Sequence, residues 1–148
     1  SYMVLPKSLA QKFHEELSFY SCTVSNLDQY AMARFMEGGF YETHINRARN
    51  LYRTKRDALL TAIQKSKLCK YTTIYEEDAG LHFILGVDTD LSDVEFCKKA
   101  EARGVHIRAL SEYYFEAEPS LHKFIVNYSS VDKASMPQAV EVLSSIVG

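Results

Sequence analysis

The chain has 148 residues and a formal net charge of −2, with 47% hydrophobic and 24% charged residues. This composition is typical of one folded globular domain and excludes a disordered tail, a collagen-like repeat and a coiled-coil rod. The small net charge provides no global field that would attract nucleic acid or an anionic membrane.

The sequence favours a cytoplasmic protein. No apolar run reaches the ~18 residues of a membrane span, and residues 1–12 lack the pattern of a secretory signal. The three cysteines are widely spaced and odd in number, which argues against a disulfide framework. The five histidines have no metal-ligand spacing, and we predict no metal site.

The chain begins with a predicted strand and two predicted helices. Residues 2–5 form a short apolar run closed by Pro6, which indicates a buried strand. Such a strand can be the last one of a sheet whose other strands are absent. Residues 7–19 place apolar side chains at four-residue spacing, as in a helix. Ser25 can cap a second helix that runs to about Glu37 and stops at two glycines.

A long helix is predicted over residues 43–65, where apolar side chains keep the 3.6-residue period. At 1.5 Å per residue it is ~34 Å long, enough to cross from one structural unit to another. Residues 47–70 contain eight basic residues and one acidic residue. This basic stretch could contact a phosphate backbone, but a solvated helix face is the favoured interpretation.

Residues 71–148 are predicted to fold as β-β-α-β-β-α. Capping-box patterns, Ser92 with Glu95 and Ser135 with Gln138, open the two helices. The predicted fold class is α/β (α+β), a small mixed or antiparallel sheet flanked by helices. The strand ranges are 71–75, 81–87, 105–110 and 124–128, and the helix ranges are 92–103 and 135–147.

Patterns alone provide few candidate functional residues and no catalytic motif. His82 follows a glycine at a strand start, where it can face a ligand cleft. Tyr113 and Tyr114 close a strand and can line a pocket. A hydrogen-bonded edge histidine and an aromatic cluster at the rim of the core are the competing interpretations.

Several segments together resemble a known family over nearly the whole chain. SYMVLP at 1–6, SNLDQ at 25–29 and FMEGG at 35–39 resemble segments that follow the cofactor lysine in fold-type I pyridoxal-phosphate (PLP) aminotransferases. THINRAR at 43–49 and KRDALL at 55–60 resemble the inter-domain helix of MocR/GabR-type transcriptional regulators. In these regulators a GntR-like winged helix is fused to an aminotransferase-like effector domain. AGLHF at 79–83 matches the same subfamily.

This resemblance implies a C-terminal fragment of the effector-binding and oligomerisation domain. Residues 1–42 are then a remnant of the large-domain end, residues 43–70 the inter-domain helix and residues 71–148 the aminotransferase-like C-terminal small domain. In the family, the lysine that forms the Schiff base with PLP lies upstream of the opening strand. We therefore expect PLP in the intact protein, no covalently bound PLP in this fragment and no enzymatic activity of the fragment.

The resemblance also implies site residues. It places the arginine that binds the effector carboxylate at the position of Ile125, and either Lys123 or Arg108 could substitute for it. The effector-pocket candidates are His82, Arg108, Tyr113, Tyr114 and Lys123. The candidates for contact with the cofactor phosphate at the dimer interface are Ser21, Thr23 and Ser25.

The leading hypothesis is therefore part of a dimeric regulator with an amino-acid-type or small peptide effector. DNA would be bound only through a winged helix outside this sequence. The alternatives are the small domain of a catalytic PLP-dependent aminotransferase and a stand-alone interaction module. The H-I-x-R-x-R and G-L-H patterns favour the regulator over the enzyme.

Overall fold

A computed structural model describes residues 3–20, 24–76, 78, 80–115 and 120–147. The chain divides into two compact units, Ser1–Ile45 and Asn46–Gly148. None of the described helices is long and apolar enough to cross a membrane.

The first unit is helical, with α1 at Lys7–Leu17 and α2 at Asn26–Glu37. The predicted strand at 2–5 is wrong for the three residues of it that the structure describes, because residues 3–5 are not in a strand. A strand needs a partner whose backbone completes its hydrogen bonds. No described segment supplies one, and the side chain of Val4 is 82% exposed. Tyr2 lies outside the described residues.

The long helix, α3, spans Phe40–Lys65 and begins three residues before the predicted start. Gly39 has a φ of 72°, a conformation that suits glycine and lets the chain leave α2 and start a new helix at once. Thr43, at which the prediction starts the helix, lies inside it, and its hydroxyl donates to the Gly39 carbonyl at 3.1 Å.

The second unit contains an antiparallel sheet, which confirms the predicted fold class. Its strands are β1 (Thr72–Tyr75), β2 (His82–Val87), β3 (Arg108–Ala109) and β4 (Lys123–Asn127). They lie in the order β1-β2-β4-β3, so that β4 is inserted between β2 and β3.

Of the two helices predicted for this unit, the first, α4, is confirmed, and the second, α5, begins one residue later than predicted. α4 spans Asp93–Glu101 and has the predicted capping box, in which the Ser92 hydroxyl accepts from the Glu95 N–H. α5 spans Met136–Val147 and follows a short 3-10 helix, Lys133–Ser135. Because Ser135 lies inside that 3-10 helix, it does not take the extended conformation of an N-cap residue, and the second predicted capping box is wrong.

The third strand is shorter than predicted. Only Arg108–Ala109 pairs with β4, and the chain continues as a 3-10 helix, Leu110–Tyr113. The predicted strand includes Val105, but the N–H of this residue donates to the Ala100 carbonyl at the end of α4. Its backbone therefore completes the helix end instead of a sheet ladder.

The hydrophobic core lies between one face of the sheet and the helices. The centroids of the Phe96 ring of α4 and the Phe124 ring of β4 are 4.5 Å apart, and both side chains are fully buried. Leu59 and Ile63 bring the second half of α3 into this core. In addition, the Lys55 ammonium donates to the Ser129 carbonyl at 2.7 Å, which attaches α3 to the segment after β4.

Candidate functional site

The alternation of side chains along the strands gives the sheet two different faces. On β2, the side chains of Phe83, Leu85 and Val87 are buried in the core. The alternate residues of the four strands point to the other side, which no described helix of the second unit covers. We call this side the open face. Its residues are Thr73, Tyr75, His82, Ile84, Gly86, Arg108, Lys123, Ile125 and Asn127.

The strand register places Arg108 beside the position where the resemblance expects an arginine. Arg108 on β3 pairs with Ile125 on β4, which in turn pairs with Ile84 on β2. Side chains directly opposite each other on adjacent antiparallel strands have Cβ atoms ~5 Å apart. The guanidinium of Arg108 can therefore reach ligands above Ile125, which itself carries no polar group.

A lysine and a tyrosine meet on the same face above a glycine. The Lys123 ammonium lies 5.0 Å from the centroid of the Tyr75 ring. A Cβ atom added to Gly86 would come within 2.9 Å of Cε2 of Tyr75, so that only glycine leaves room for this ring position. The cation–π contact orients the ammonium group and leaves its positive charge in place.

A cleft of ~370 Å³ adjoins this pair of side chains. Tyr75, Gly86 and Lys123 line it from the strands, and Asp88 and His122 line it from the segments next to them. Cationic and hydroxyl groups thus share one concave region at the edge of the open face.

The buried carboxylate of Asp93 fixes the segment that leads into β4. Its oxygens accept hydrogen bonds from the Ser111 hydroxyl at 2.6 Å, the Leu121 N–H at 3.0 Å and the His122 N–H at 2.9 Å. His122 has a φ of 51°, an uncommon conformation for a residue with a side chain. These bonds hold it there, which places the next residue, Lys123, on the open face.

Asp93 is the organising residue that sequence reasoning missed. In the sequence it is one acid among several near the start of a helix, and acids are common there because of the helix dipole. No local pattern indicates that residues 18 to 29 positions further along the chain bind it.

Tyr128 fixes the turn before His82. Its hydroxyl donates to the Gly80 carbonyl, and its ring stacks on Phe83 with centroids 6.2 Å apart. Burial raises the pKa of the Tyr128 phenol above its ordinary value, so that the phenol keeps its proton as a donor. The predicted candidate His82 follows this turn and is exposed on the open face, where it pairs with Asn127.

The structure brings three of the five predicted pocket residues to one face: His82, Arg108 and Lys123. Tyr113 and Tyr114 lie at the end of the 3-10 helix after β3, are more than half exposed, and form no hydrogen bond or ring contact with the described residues of the open face. They remain predictions.

The three predicted phosphate contacts are also still predictions. Ser25 is the N-cap residue of α2, and its side chain forms no capping hydrogen bond. Ser21 and Thr23 lie outside the described residues.

Neither a metal cluster nor a PLP-imine site can be assigned to this chain alone. The described residues contain no group of three or more metal-binding side chains. Imine-forming lysines are activated by desolvation or by a neighbouring cation, and all ten lysines of this chain are exposed or half-buried. The absence of covalently bound PLP from this chain stays a prediction, and we assign no chemical step to the cofactor.

The chain is similar in sequence to HTH-type transcriptional regulators. It is 34% identical over 145 residues to the uncharacterized HTH-type transcriptional regulator YdeL of Bacillus subtilis, which covers 98% of this chain and 31% of that protein. It is 30% identical over 144 residues to the probable rhizopine catabolism regulatory protein MocR of Rhizobium meliloti, covering 97% of this chain and 29% of that protein. The chain thus spans about a third of these relatives. No model of a protein family matches it.

Solved aminotransferases share its fold. LysN, an α-aminoadipate aminotransferase of Thermus thermophilus, superposes with a TM-score of 0.77 at 18% identity, covering 97% of this chain and 36% of LysN. YbdL of Escherichia coli, which has a methionine aminotransferase function, superposes with a TM-score of 0.69 at 23% identity, covering 93% of this chain and 34% of YbdL. The predicted resemblance is confirmed by both comparisons: this chain has the fold of the solved aminotransferases and is similar in sequence to HTH-type transcriptional regulators that include MocR.

Proposed function

We propose that the chain is the C-terminal part of the effector-binding domain of a MocR-type regulator and that its open face closes the effector pocket. The observation that carries the proposal is the register of β3 and β4, which sets Arg108 beside Ile125 on the face that no described helix of the second unit covers. Similarity to regulators along nearly the whole chain supports the regulatory part of the proposal.

Arg108 is the proposed anchor of the effector. Its guanidinium is exposed and can donate two parallel hydrogen bonds to a carboxylate, the group that amino-acid-type and small peptide effectors share. Lys123 offers a second cation on the same face. PLP, when bound in the intact protein, would supply an aldehyde that reacts with amines, and the lysine that would hold it as an imine would lie outside this chain.

Effector binding would act on DNA through a shift between conformations. An effector that binds the closed arrangement more tightly than the open one increases the closed population. The second half of α3, packed into the core and bonded to Ser129, would move together with the sheet and carry this change along the chain. Dimerisation, DNA binding through a winged helix and a cytoplasmic location belong to this proposal as well.

A catalytic aminotransferase is the second candidate, because the solved structures that share the fold are aminotransferases. The two candidates differ in turnover: the full-length regulator would show no steady conversion of candidate amino acids in the presence of PLP, whereas an enzyme would. Sustained release of keto acid over many catalytic cycles would favour the enzyme.

The test of Arg108 uses effector-dependent binding of the full-length protein to its operator. We expect Arg108→Ala to raise the effector concentration at half-response by about tenfold or more, since a charge-assisted contact of ~1.4 kcal/mol or more is lost. Arg108→Lys should recover only part of the response, because lysine lacks the planar fork. Arg34→Ala is the matched control, because Arg34 is exposed on α2 and lies outside the basic stretch of α3. An unchanged response of Arg108→Ala would contradict the proposed anchor.

A further inference from the structure

We propose that the open face selects an elongated dianion, with one acidic group bound by Arg108 and the other by Lys123. The inference rests on the proposed function and specifies the class of its effector: a compound with an acidic group at each end and an apolar body between them.

The first observation is the charge of the open face. Arg108, Lys123 and His82 lie on it, and none of its described strand positions is Asp or Glu. The chain as a whole is slightly acidic, so this separation of charge is local. Neither Arg108 nor Lys123 forms an ion pair with the part of the chain that the structure describes. Both cations are therefore available to anionic groups of a ligand.

The second observation is the spacing of the two cations. Arg108 on β3 pairs with Ile125, and Lys123 lies two residues from Ile125 on β4, so the two cations are diagonal neighbours on adjacent strands. Such neighbours are ~7–8 Å apart, and the contact with the Tyr75 ring draws the Lys123 ammonium away from β3. The two acidic ends of one extended molecule can contact the two cations at this separation.

The third observation is the apolar surface between the cations. Ile84 and Ile125 are cross-strand partners, both are half-buried, and they lie between Arg108 on one side and the Tyr75 ring on the other. The Tyr75 ring fills the space over Gly86 and borders this surface next to the cleft beside Lys123. Methylene groups of a ligand would cover the two isoleucines, and the gain scales with the apolar area that is buried.

The face also discriminates against ligands of the wrong charge. An ω-amino acid would bring its ammonium group to Lys123, where like charges repel. Asp88 lies past the end of β2 and lines the cleft, but it forms no ion pair with Lys123, and the described strand positions offer no carboxylate to such a ligand. We therefore expect the dianion to bind more tightly than a monoanion or an ω-amino acid of equal length.

Calorimetric titration of the full-length protein with a series of probes tests this inference. The probes are succinate, glutarate, adipate and pimelate, with hexanoate and 6-aminohexanoate as single-anion controls. We expect affinity to rise from succinate toward the longer diacids, and adipate to bind about tenfold or more tightly than either control. Arg108→Ala should weaken every anion, whereas Lys123→Ala should weaken only the diacids.

Two further variants keep the result interpretable. Lys123→Gln keeps a long polar side chain without the positive charge and should give the same loss of diacid preference if Lys123→Ala is poorly folded. Lys98→Ala removes an exposed lysine from α4 and should bind like the unmodified protein. If hexanoate binds as tightly as adipate and both need Arg108, the dianion inference is wrong and the proposed function stands. If no acid binds and Arg108→Ala changes no response, both are wrong.

Discussion

Asp93 stabilises the fold through hydrogen bonds to residues that are far from it in the sequence. Removing its carboxylate leaves the N–H groups of Leu121 and His122 and the hydroxyl of Ser111 without their acceptor. Because unsatisfied buried donors cost ~1–3 kcal/mol each, we expect Asp93→Ala to lower the free energy of unfolding by roughly 2–4 kcal/mol. Urea unfolding measures the change.

The control for this variant is Asp90→Ala, since Asp90 is exposed in the loop that precedes α4. It should change the free energy of unfolding by less than ~0.5 kcal/mol, as exposed substitutions usually do. Equal stability of the Asp93 and Asp90 variants would show that the hydrogen bonds of Asp93 contribute nothing.

The pair of Gly86 and Tyr75 is a second test at the residue scale. A Cβ atom at position 86 collides with the Tyr75 ring, so Gly86→Ala should cost ~1–3 kcal/mol as long as the ring is present. In a Tyr75→Ala background the same substitution should cost much less. A double-mutant cycle measured by urea unfolding gives the coupling between the two residues. If Gly86→Ala lowers the free energy of unfolding equally in both backgrounds, the Tyr75 ring does not occupy the space over Gly86.

At the scale of elements, the start of α4 depends on a capping box that also responds to pH. Hydrogen bonds from the Ser92 hydroxyl and from its backbone N–H lower the pKa of Glu95 below its ordinary value. A carboxyl group with a lowered pKa in the folded state stabilises the fold at higher pH and loses this contribution as the pH falls through that pKa.

We therefore expect Ser92→Ala to cost ~1 kcal/mol near neutral pH, the usual cost of losing an N-cap. Glu95→Gln should be less stable than the unmodified chain near pH 7, and the difference should shrink as the pH falls through the lowered pKa of Glu95. Unfolding curves over a series of pH values measure both effects. A difference between Glu95→Gln and the unmodified chain that does not depend on pH would contradict the role of the carboxylate.

Elements with local signals were predictable from the sequence, and elements that depend on distant partners were not. The capping box and the glycine after α4 lie within a few residues of the helix they delimit, so the sequence alone predicts that helix. β3 is short because Val105 bonds to the end of α4, and residues 3–5 are not in a strand because no described partner pairs with them. Both outcomes depend on residues that are not neighbours in the sequence.

The candidate site also combines features that the local sequence predicts with one that depends on distant partners. Alternation along β4 already separates Lys123 and Ile125 from the core residue Phe124. The closeness of Arg108 to Ile125 could not be derived in this way, because it depends on the insertion of β4 between β2 and β3. The resemblance to a family suggests that Arg108 could replace the missing arginine, and the strand register supplies the physical reason.

At the scale of the whole molecule, this chain combines an aminotransferase fold with sequence similarity to regulators. The helices α3, α4 and α5 bury one face of the sheet and do not cover the open face. In the proposed function, a scaffold shared with enzymes uses this open face for effector recognition, since fold alone does not determine function.

The most direct measurement is a crystal structure of the full-length protein with adipate bound. The proposal predicts that one carboxylate accepts hydrogen bonds from the Arg108 guanidinium, that the other lies within contact distance of the Lys123 ammonium, and that the methylenes cover Ile84 and Ile125. Adipate bound elsewhere, with the open face buried against another part of the protein, would contradict it.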